Sequence, residues 1–364
     1  MIDETARTPI PILYSSKHIE HAPKVEFFHG RRLDYPEVPV RIENIKTAPI
    51  ESGITRLIEP VTPLPESAIL KVHDAGMIAH VKNIRAEIEK RSTGRNSPQY
   101  RSSGEDELYL YPRVFASRPF MRRLRESSIG QHGYYFFDID APIGTGTWEA
   151  ALYAATLAYE GAEMLLHGEA KAIYALCRPP GHHAGRDFMG GYCYLNNAAI
   201  AAAHLMQTGK IAVLDIDYHH GNGTQSIFWD EPNVLFGSIH AHPDYEYPYY
   251  SGHADETGGE SALNTNVNLP MQPGTDSDEF LAAFDQLLRR TRDFGAKAIV
   301  LSIGYDTYID DPLSTFKVTE ETYQQVGAAL MQSGLPVLIV QEGGYQVNAL
   351  GELAVNLLRG VHQG

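Results

Sequence analysis

Two cysteines, Cys177 and Cys193, in 364 residues are too few for a disulfide framework, and no third thiol stands near them to suggest a structural zinc knot. Both read as buried, reduced thiols. Long hydrophobic runs are missing too, since no apolar stretch approaches the roughly 20 residues that span a bilayer. The first ten residues lack an apolar signal core and carry Asp3, Glu4 and Arg7, so nothing in them directs secretion and the cytoplasm is the expected compartment. Basic charge is scarce: 30 Lys and Arg stand against 45 Asp and Glu, a formal charge of −15. That balance disfavours nucleic acid, whose phosphates need a basic footprint. It suits cationic small partners, or simply solubility. Internal repeats and domain linkers are absent as well.

What is present is an alternation. Apolar, β-branched runs bounded by Gly, Pro or Asp recur at Lys171–Leu176, Ile211–Asp215, Val234–Ile239, Ala298–Ile303 and Pro336–Val340 and read as buried parallel strands. Helical patterns lie at Trp148–His167, Asn196–Gln207, Ser277–Phe294, Glu320–Ser333 and Val347 to about Val361. Strands alternating with helices give an α/β domain with a parallel sheet, whose functional residues are expected beyond the carboxyl ends of the strands. The stretch from about Lys90 to Phe120, rich in Arg, Ser, Gly, Pro and Tyr without periodicity, reads as a long loop with a packing or interface role.

The strongest chemical signal starts where the run Ile211–Asp215 ends, in Asp215-Ile216-Asp217-Tyr218-His219-His220-Gly221-Asn222-Gly223-Thr224. In an extended segment Asp215, Asp217 and His219 share one side, and Asp with His suits Zn²⁺ or another first-row metal. A polar strand end with satisfied side chains is the plainer alternative. A second strand ends in Gly304-Tyr305-Asp306, so Asp217, His219 and Asp306 make a three-ligand set with a position left for water. A third ends in Arg178-Pro179-Pro180-Gly181-His182-His183, delivering two imidazoles able to move protons to and from a water or an amine. A fourth ends in Glu342-Gly343-Gly344-Tyr345, where Tyr345 is either an oxyanion donor or a core residue.

Together RPPGHHA, DIDYHHGNGT, the Gly-Tyr-Asp strand end and EGGY resemble the histone deacetylase superfamily, in that order, with similarity from roughly Leu70 to the C-terminus. The resemblance implies a three-layer arginase/deacetylase-like α/β fold, a central mainly parallel sheet flanked by helices, with residues 1–364 as one catalytic domain. It implies zinc on Asp217, His219 and Asp306, tandem histidines at His182 and His183, and a carbonyl-polarising Tyr345. It pairs Asp215 with His182 and Asn222 with His183. An Asn partner leaves His183 more easily neutral, which makes it the expected general base. Potassium is implied beside Asp215 and Ser238. Tyr305 departs from the usual Phe or Val before the third ligand and questions only the local packing.

Within that family, Lys24-Val25-Glu26, Pro142-Ile143, Gly146-Thr147-Trp148-Glu149-Ala150-Ala151, Gly190-Gly191-Tyr192-Cys193, Asp306-Thr307, Asp311-Pro312 and Phe316-Lys317 look most similar to acetylpolyamine amidohydrolases. By that resemblance, the segment near 90–120 packs across a homodimer and narrows the site mouth. Tyr192 and Tyr247 match tunnel aromatics, or else are ordinary core. Glu26 and Asp140 match acidic mouth residues, or else are solvated carboxylates, and a third acidic position falls on Ile129. The implied substrate is a small cationic acetylated amine, with acetylputrescine and acetylcadaverine favoured. Competing readings are a deacetylase of acetyl-lysine peptides or other acylated amines, a two-manganese ureohydrolase lacking the required extra ligands, and a binding protein that captures acylpolyamines without cleaving them.

Overall fold

The computed structural model describes residues 8–60, 62–93, 109–112, 114–117 and 131–364. Most of the expected loop between Lys90 and Phe120, and Ile129, lie outside the described residues. Two corrections apply at its margins. A helix, Ala75–Thr93, runs through Lys90, and Leu110 forms a bridge with Ile143.

Ten strands are described: β1 Ile10–Leu13, β2 Val25–Phe28, β3 Arg31–Asp34, β4 Thr55–Ile58, β5 Ala172–Ala175, β6 Ile211–Asp215, β7 Val234–Ala241, β8 Asn266–Met271, β9 Ala298–Ile303 and β10 Val337–Gln341. Eight form one sheet in the order β4-β1-β5-β10-β9-β6-β7-β8, and every pairing in it is parallel. β2 and β3 form a separate antiparallel hairpin.

The central strands are almost continuously apolar, with polar residues only near their carboxyl ends, because both faces are covered. Ile173, Val213, Val300 and Leu338 belong to one core cluster, while Tyr174, Leu214, Leu301 and Ile339 belong to the other. Helices Thr147–Leu166 and Asn197–Leu205 cover the first face. Val40–Glu51, Ser277–Phe294, Glu320–Gln332 and Leu350–Gln363 cover the second, which completes three layers. Local sequence fixes several helix ends. Asp276 and Glu279 form a reciprocal capping box, and Gly295 ends that helix in the left-handed region at φ 78°.

Besides the β2–β3 hairpin, the strands that sequence patterning passes over are at the margins of the large sheet. β1 and β4 extend one side, and β8 closes the other with the sequence NVNLPM. Its Pro270 can be tolerated on an edge strand because the missing N–H has no ladder partner to lose there.

Candidate active site

β5, β10, β9 and β6 are consecutive in the sheet, so the four segments that follow them meet beyond its carboxyl edge. After Asp215 the chain stops being a strand. Asp215 Oδ1 accepts Asp217 N–H at 3.1 Å, and Asp217 Oδ1 accepts His219 N–H at 2.9 Å. These are two successive side-chain-to-backbone turns of the kind short Asp side chains favour. This corrects the extended-segment expectation: Asp215 is turned towards His182, and the convergent group is Asp217, His219 and Asp306, with ligand atoms all within 4.8 Å of one another.

That group suits a cation. His219 Nδ1 stands 3.3 Å from both Asp217 Oδ1 and Asp306 Oδ2, and the buried Asp306 Oδ2 has no hydrogen-bond partner. Burial, followed by the charge of Asp217, pushes the Asp306 carboxyl up to about 7. Two carboxylates crowded in a dry site are unfavourable until a positive charge joins them. Glycine is required around them. A Cβ on Gly304 would sit 2.1 Å from Asp217 Oδ2, and one on Gly343 2.2 Å from Asp306 Oδ2.

The tandem histidines have contrasting partners. Asp215 Oδ2 accepts from His182 Nδ1 at 3.0 Å, and Asn222 Oδ1 accepts from His183 Nδ1 at 2.7 Å. Burial opposes charge on His182, but the carboxylates of Asp215 and Asp217 outweigh it and raise its pKa to about 10. His183 is held well below the usual imidazole range by burial, then by the charges of His182 and His219. The two imidazoles are thus biased in opposite directions, His182 towards its charged form and His183 towards its neutral one, with ring centroids 4.0 Å apart.

Tyr345 follows the glycine turn. Asp311 Oδ2 accepts the N–H groups of Tyr345 at 2.6 Å and Gln346 at 2.9 Å, and the Arg41 guanidinium lies 4.8 Å from the Tyr345 ring centroid. Burial raises the phenol well above its ordinary range, so its hydroxyl keeps its proton. Arg41 also donates to the carbonyls of Gly344 and Glu342. Glu37 Oε1 accepts from Arg41 Nη1 at 2.6 Å and from Arg178 Nε at 2.8 Å. This fully buried triad ties the N-terminal third to the histidine loop. Sequence reading missed it, since no local pattern marks residues that pair across about 140 positions.

The residues expected at the mouth come from loops and the β2–β3 hairpin. Tyr192 O–H donates to Glu26 Oε2 at 2.7 Å, and its ring lies 6.0 Å from that of Tyr345. Tyr247 O–H donates to Asp138 Oδ2 at 2.5 Å, and its ring stands 5.0 Å from that of His183. Gly191 lets the wall approach closely, because a Cβ there would be 2.4 Å from His183 Cδ2. Asp138, Asp140 and Glu26 cluster tightly enough that burial, then the charges of Asp138 and Glu26, raise Asp140 to about 8. Asp138 is a member that sequence reading missed; its signal was the pair Asp138-Ile139-Asp140, of which only the second residue was singled out.

Ser238 lies opposite Asp215 in the β6–β7 register, and its Oγ is 2.8 Å from His240 Nδ1. Tyr305 is buried with its hydroxyl 3.1 Å from that of Tyr174 and its ring 5.2 Å from that of Tyr323. The departure from the family residue therefore packs against the helix Glu320–Gln332 and leaves Asp306 in place.

With this geometry in view, a family model for the histone deacetylase domain matches residues 35–361, and the chain belongs to that family: it is a hydrolytic deacetylase. It is 39% identical over 355 residues to the acetylpolyamine amidohydrolase of Mycoplana ramosa, covering 96% of this chain and 99% of that one. It is also 39% identical over 352 residues to acetylpolyamine amidohydrolase 1 of Pseudomonas aeruginosa, covering 96% and 97%. Among solved structures, an acetylpolyamine aminohydrolase from Burkholderia pseudomallei superposes with a TM-score of 0.88 at 35% identity, covering 96% of this chain and 98% of that one. Among the described residues, no helix is long and apolar enough to cross a membrane.

Proposed function

We propose that the chain is a zinc-dependent amidohydrolase that removes acetyl groups from acetylated polyamines or diamines, with acetylputrescine and acetylcadaverine favoured. The observation that carries this reading is the cluster of Glu26, Asp138 and Asp140 around the hydroxyls of Tyr192 and Tyr247, together with the group of buried Asp217 and Asp306 and half-buried His219. An acidic, aromatic mouth over a metal-ready floor suits a short chain carrying an amide at one end and an ammonium at the other. The relatives' names support the same substrate class.

Asp217, His219 and Asp306 would hold the zinc, which when bound supplies Lewis acidity toward the carbonyl and acidifies water. Neutral His183 takes the proton of the attacking water, and its bond to Asn222 keeps Nε2 directed at the reaction. The protonated Tyr345 hydroxyl donates to the developing oxyanion. Cationic His182, steadied by Asp215, adds positive field beneath it. The C–N bond then breaks, the proton passes to the leaving nitrogen, and acetate and a free amine result. Potassium beside Asp215 and Ser238, which are cross-strand partners, and a homodimer closed over the segment near residues 90–120 belong to the same reading.

The test is amine release from N-acetylputrescine, N-acetylcadaverine, acetylspermidines and an acetyl-lysine peptide by zinc-loaded protein, with Asp306→Ala as control. Preference for the small diamines, lost together with bound metal in the control, is the expected result. Preference for the peptide would move the chain to lysine deacetylation, and tight binding without release would make it a capture protein.

A further inference from the structure

Glu342 is fully buried, stands one residue past β10 and lies outside the Asp217, His219 and Asp306 group. Its carboxylate is nonetheless committed on both sides. Oε2 accepts the N–H groups of Gly181 at 2.6 Å and His182 at 3.2 Å, and Oε1 accepts the Ser302 hydroxyl at 3.1 Å. The residue itself has little freedom. Its N–H donates to Ile303 O at 2.8 Å, and its carbonyl accepts Arg41 Nη2 at 2.8 Å. Because β10 lies between β5 and β9, a side chain leaving its end can reach the loop after β5 on one side and Ser302 of β9 on the other.

The loop it grips needs an acceptor. Pro179 and Pro180 have no N–H, so Gly181 and His182 carry the first two donors after Arg178, in a buried turn where unpaired donors are rare. The opposite side of the turn is already closed, since a Cβ on Gly181 would stand 2.5 Å from the backbone nitrogen of Asn197. A ring nitrogen of His182, the Cys193 sulfur and a Glu342 oxygen lie within 4.8 Å of one another, so the carboxylate sits close beneath the imidazole.

We propose that Glu342 is a positioning residue for the tandem histidines: by accepting the Gly181 and His182 N–H groups it fixes where the His182 ring stands relative to Asp215 and Asp217. This rests on the reading in which His182 takes part in amide hydrolysis. The role is one of reach and hydrogen bonding, and a side chain of the same length with the same acceptor fulfils it. Glutamine does so, because its amide oxygen can take both N–H groups while its NH₂ donates to a Ser302 hydroxyl that turns to accept. Aspartate keeps the charge and loses the reach.

The test compares Glu342→Gln, Glu342→Asp and Glu342→Ala as zinc-loaded, full-length proteins with the wild type, on whichever acetylated amine the wild type cleaves. Glu342→Gln retains kcat within about fivefold, whereas Glu342→Asp and Glu342→Ala lose on the order of 10²-fold in kcat, the scale of a reacting group displaced by about 1 Å. KM stays level in all three, since the mouth residues are untouched. In protein labelled with ¹⁵N-histidine, the His182 ring resonances, assigned with His182→Ala, move in the Asp and Ala variants and not in the Gln variant. If Glu342→Ala does not fold, the Asp variant decides. A fully active Asp variant, a Gln variant as impaired as Ala, or a loss carried by KM would overturn the proposal. A wild type with no turnover would sink the amidohydrolase reading instead, and the ring resonances would still judge Glu342.

Discussion

Asp217, Asp306 and His182 follow the ends of β6, β9 and β5 in one sheet covered on both faces, whereas Glu26, Asp138 and Tyr247 come from a hairpin, a bend and a loop that meet only in the folded chain. The floor is anchored by backbone ladders and fully buried carboxylates. In the hairpin and the loop, Phe27, Phe28, Tyr249 and Tyr250 are exposed, and these segments are held by side-chain bonds such as Tyr192 to Glu26 and Tyr247 to Asp138. Under the proposed function, the chemistry sits on strand ends and the recognition on loops carried by that scaffold. A change in the floor should therefore cost stability or kcat, and a change in the mouth should cost KM.

The largest break is expected at the buried triad below the floor. Glu37→Ala leaves Arg41 and Arg178 without their shared carboxylate and should lower unfolding free energy by about 3–5 kcal/mol, read from chemical denaturation. A variant of wild-type stability would show that the triad does not hold the N-terminal third in place. Next comes Tyr345→Phe, which keeps the ring beside Arg41 and removes the hydroxyl. Turnover should fall by about 10²–10³-fold with metal content unchanged, the scale of one lost oxyanion donor. Undiminished kcat there would remove the hydroxyl from the chemistry.

The smallest effect sharpens the comparison from the other side. Asp140→Asn should raise KM for an acetylated diamine by less than about fivefold and leave kcat alone. The sign of its pH dependence follows from the raised carboxyl at about 8. The anionic form attracts the substrate ammonium and grows as pH rises from 7 to 9, while an amine of pKa roughly 10 stays charged. KM of the wild type should fall across that interval and the variant's profile should be flatter. Steady-state kinetics across that pH range checks it, and parallel profiles would place the titration elsewhere.

The legibility of the two regions differs for the same reason. Runs such as AIVLSI at β9 and VLIVQ at β10 announce buried parallel strands, and the motifs that follow them are contiguous, so the floor could be read residue by residue. Three-residue turns around Asp215 and Asp217 were misread as extended chain, because alternation cannot tell a strand end from successive Asp turns. Thr55–Ile58, with only four residues, and Asn266–Met271, interrupted by Asn266, Asn268 and Pro270, carry too little apolar pattern to announce themselves. Asp311 was noted only as part of a motif, and its grip on the Tyr345 and Gln346 N–H groups has no signature in the chain.

By itself, the sequence determined the alternation of strand and helix, the family, and the residues delivered to the sheet edge, because periodicity and contiguous motifs are local properties of a chain. Only the tertiary structure decided that β10 enters between β5 and β9, that Glu37 serves two arginines, that Glu342 reaches Gly181, His182 and Ser302, and that Asp138 joins Glu26 and Asp140 at the mouth. Apart from Glu37 with Arg41 and Asp138 with Asp140, those are pairings between positions far apart in the chain. They exist because burying both faces of the sheet brings distant strand ends together, and most polar groups carried in with them find a partner there.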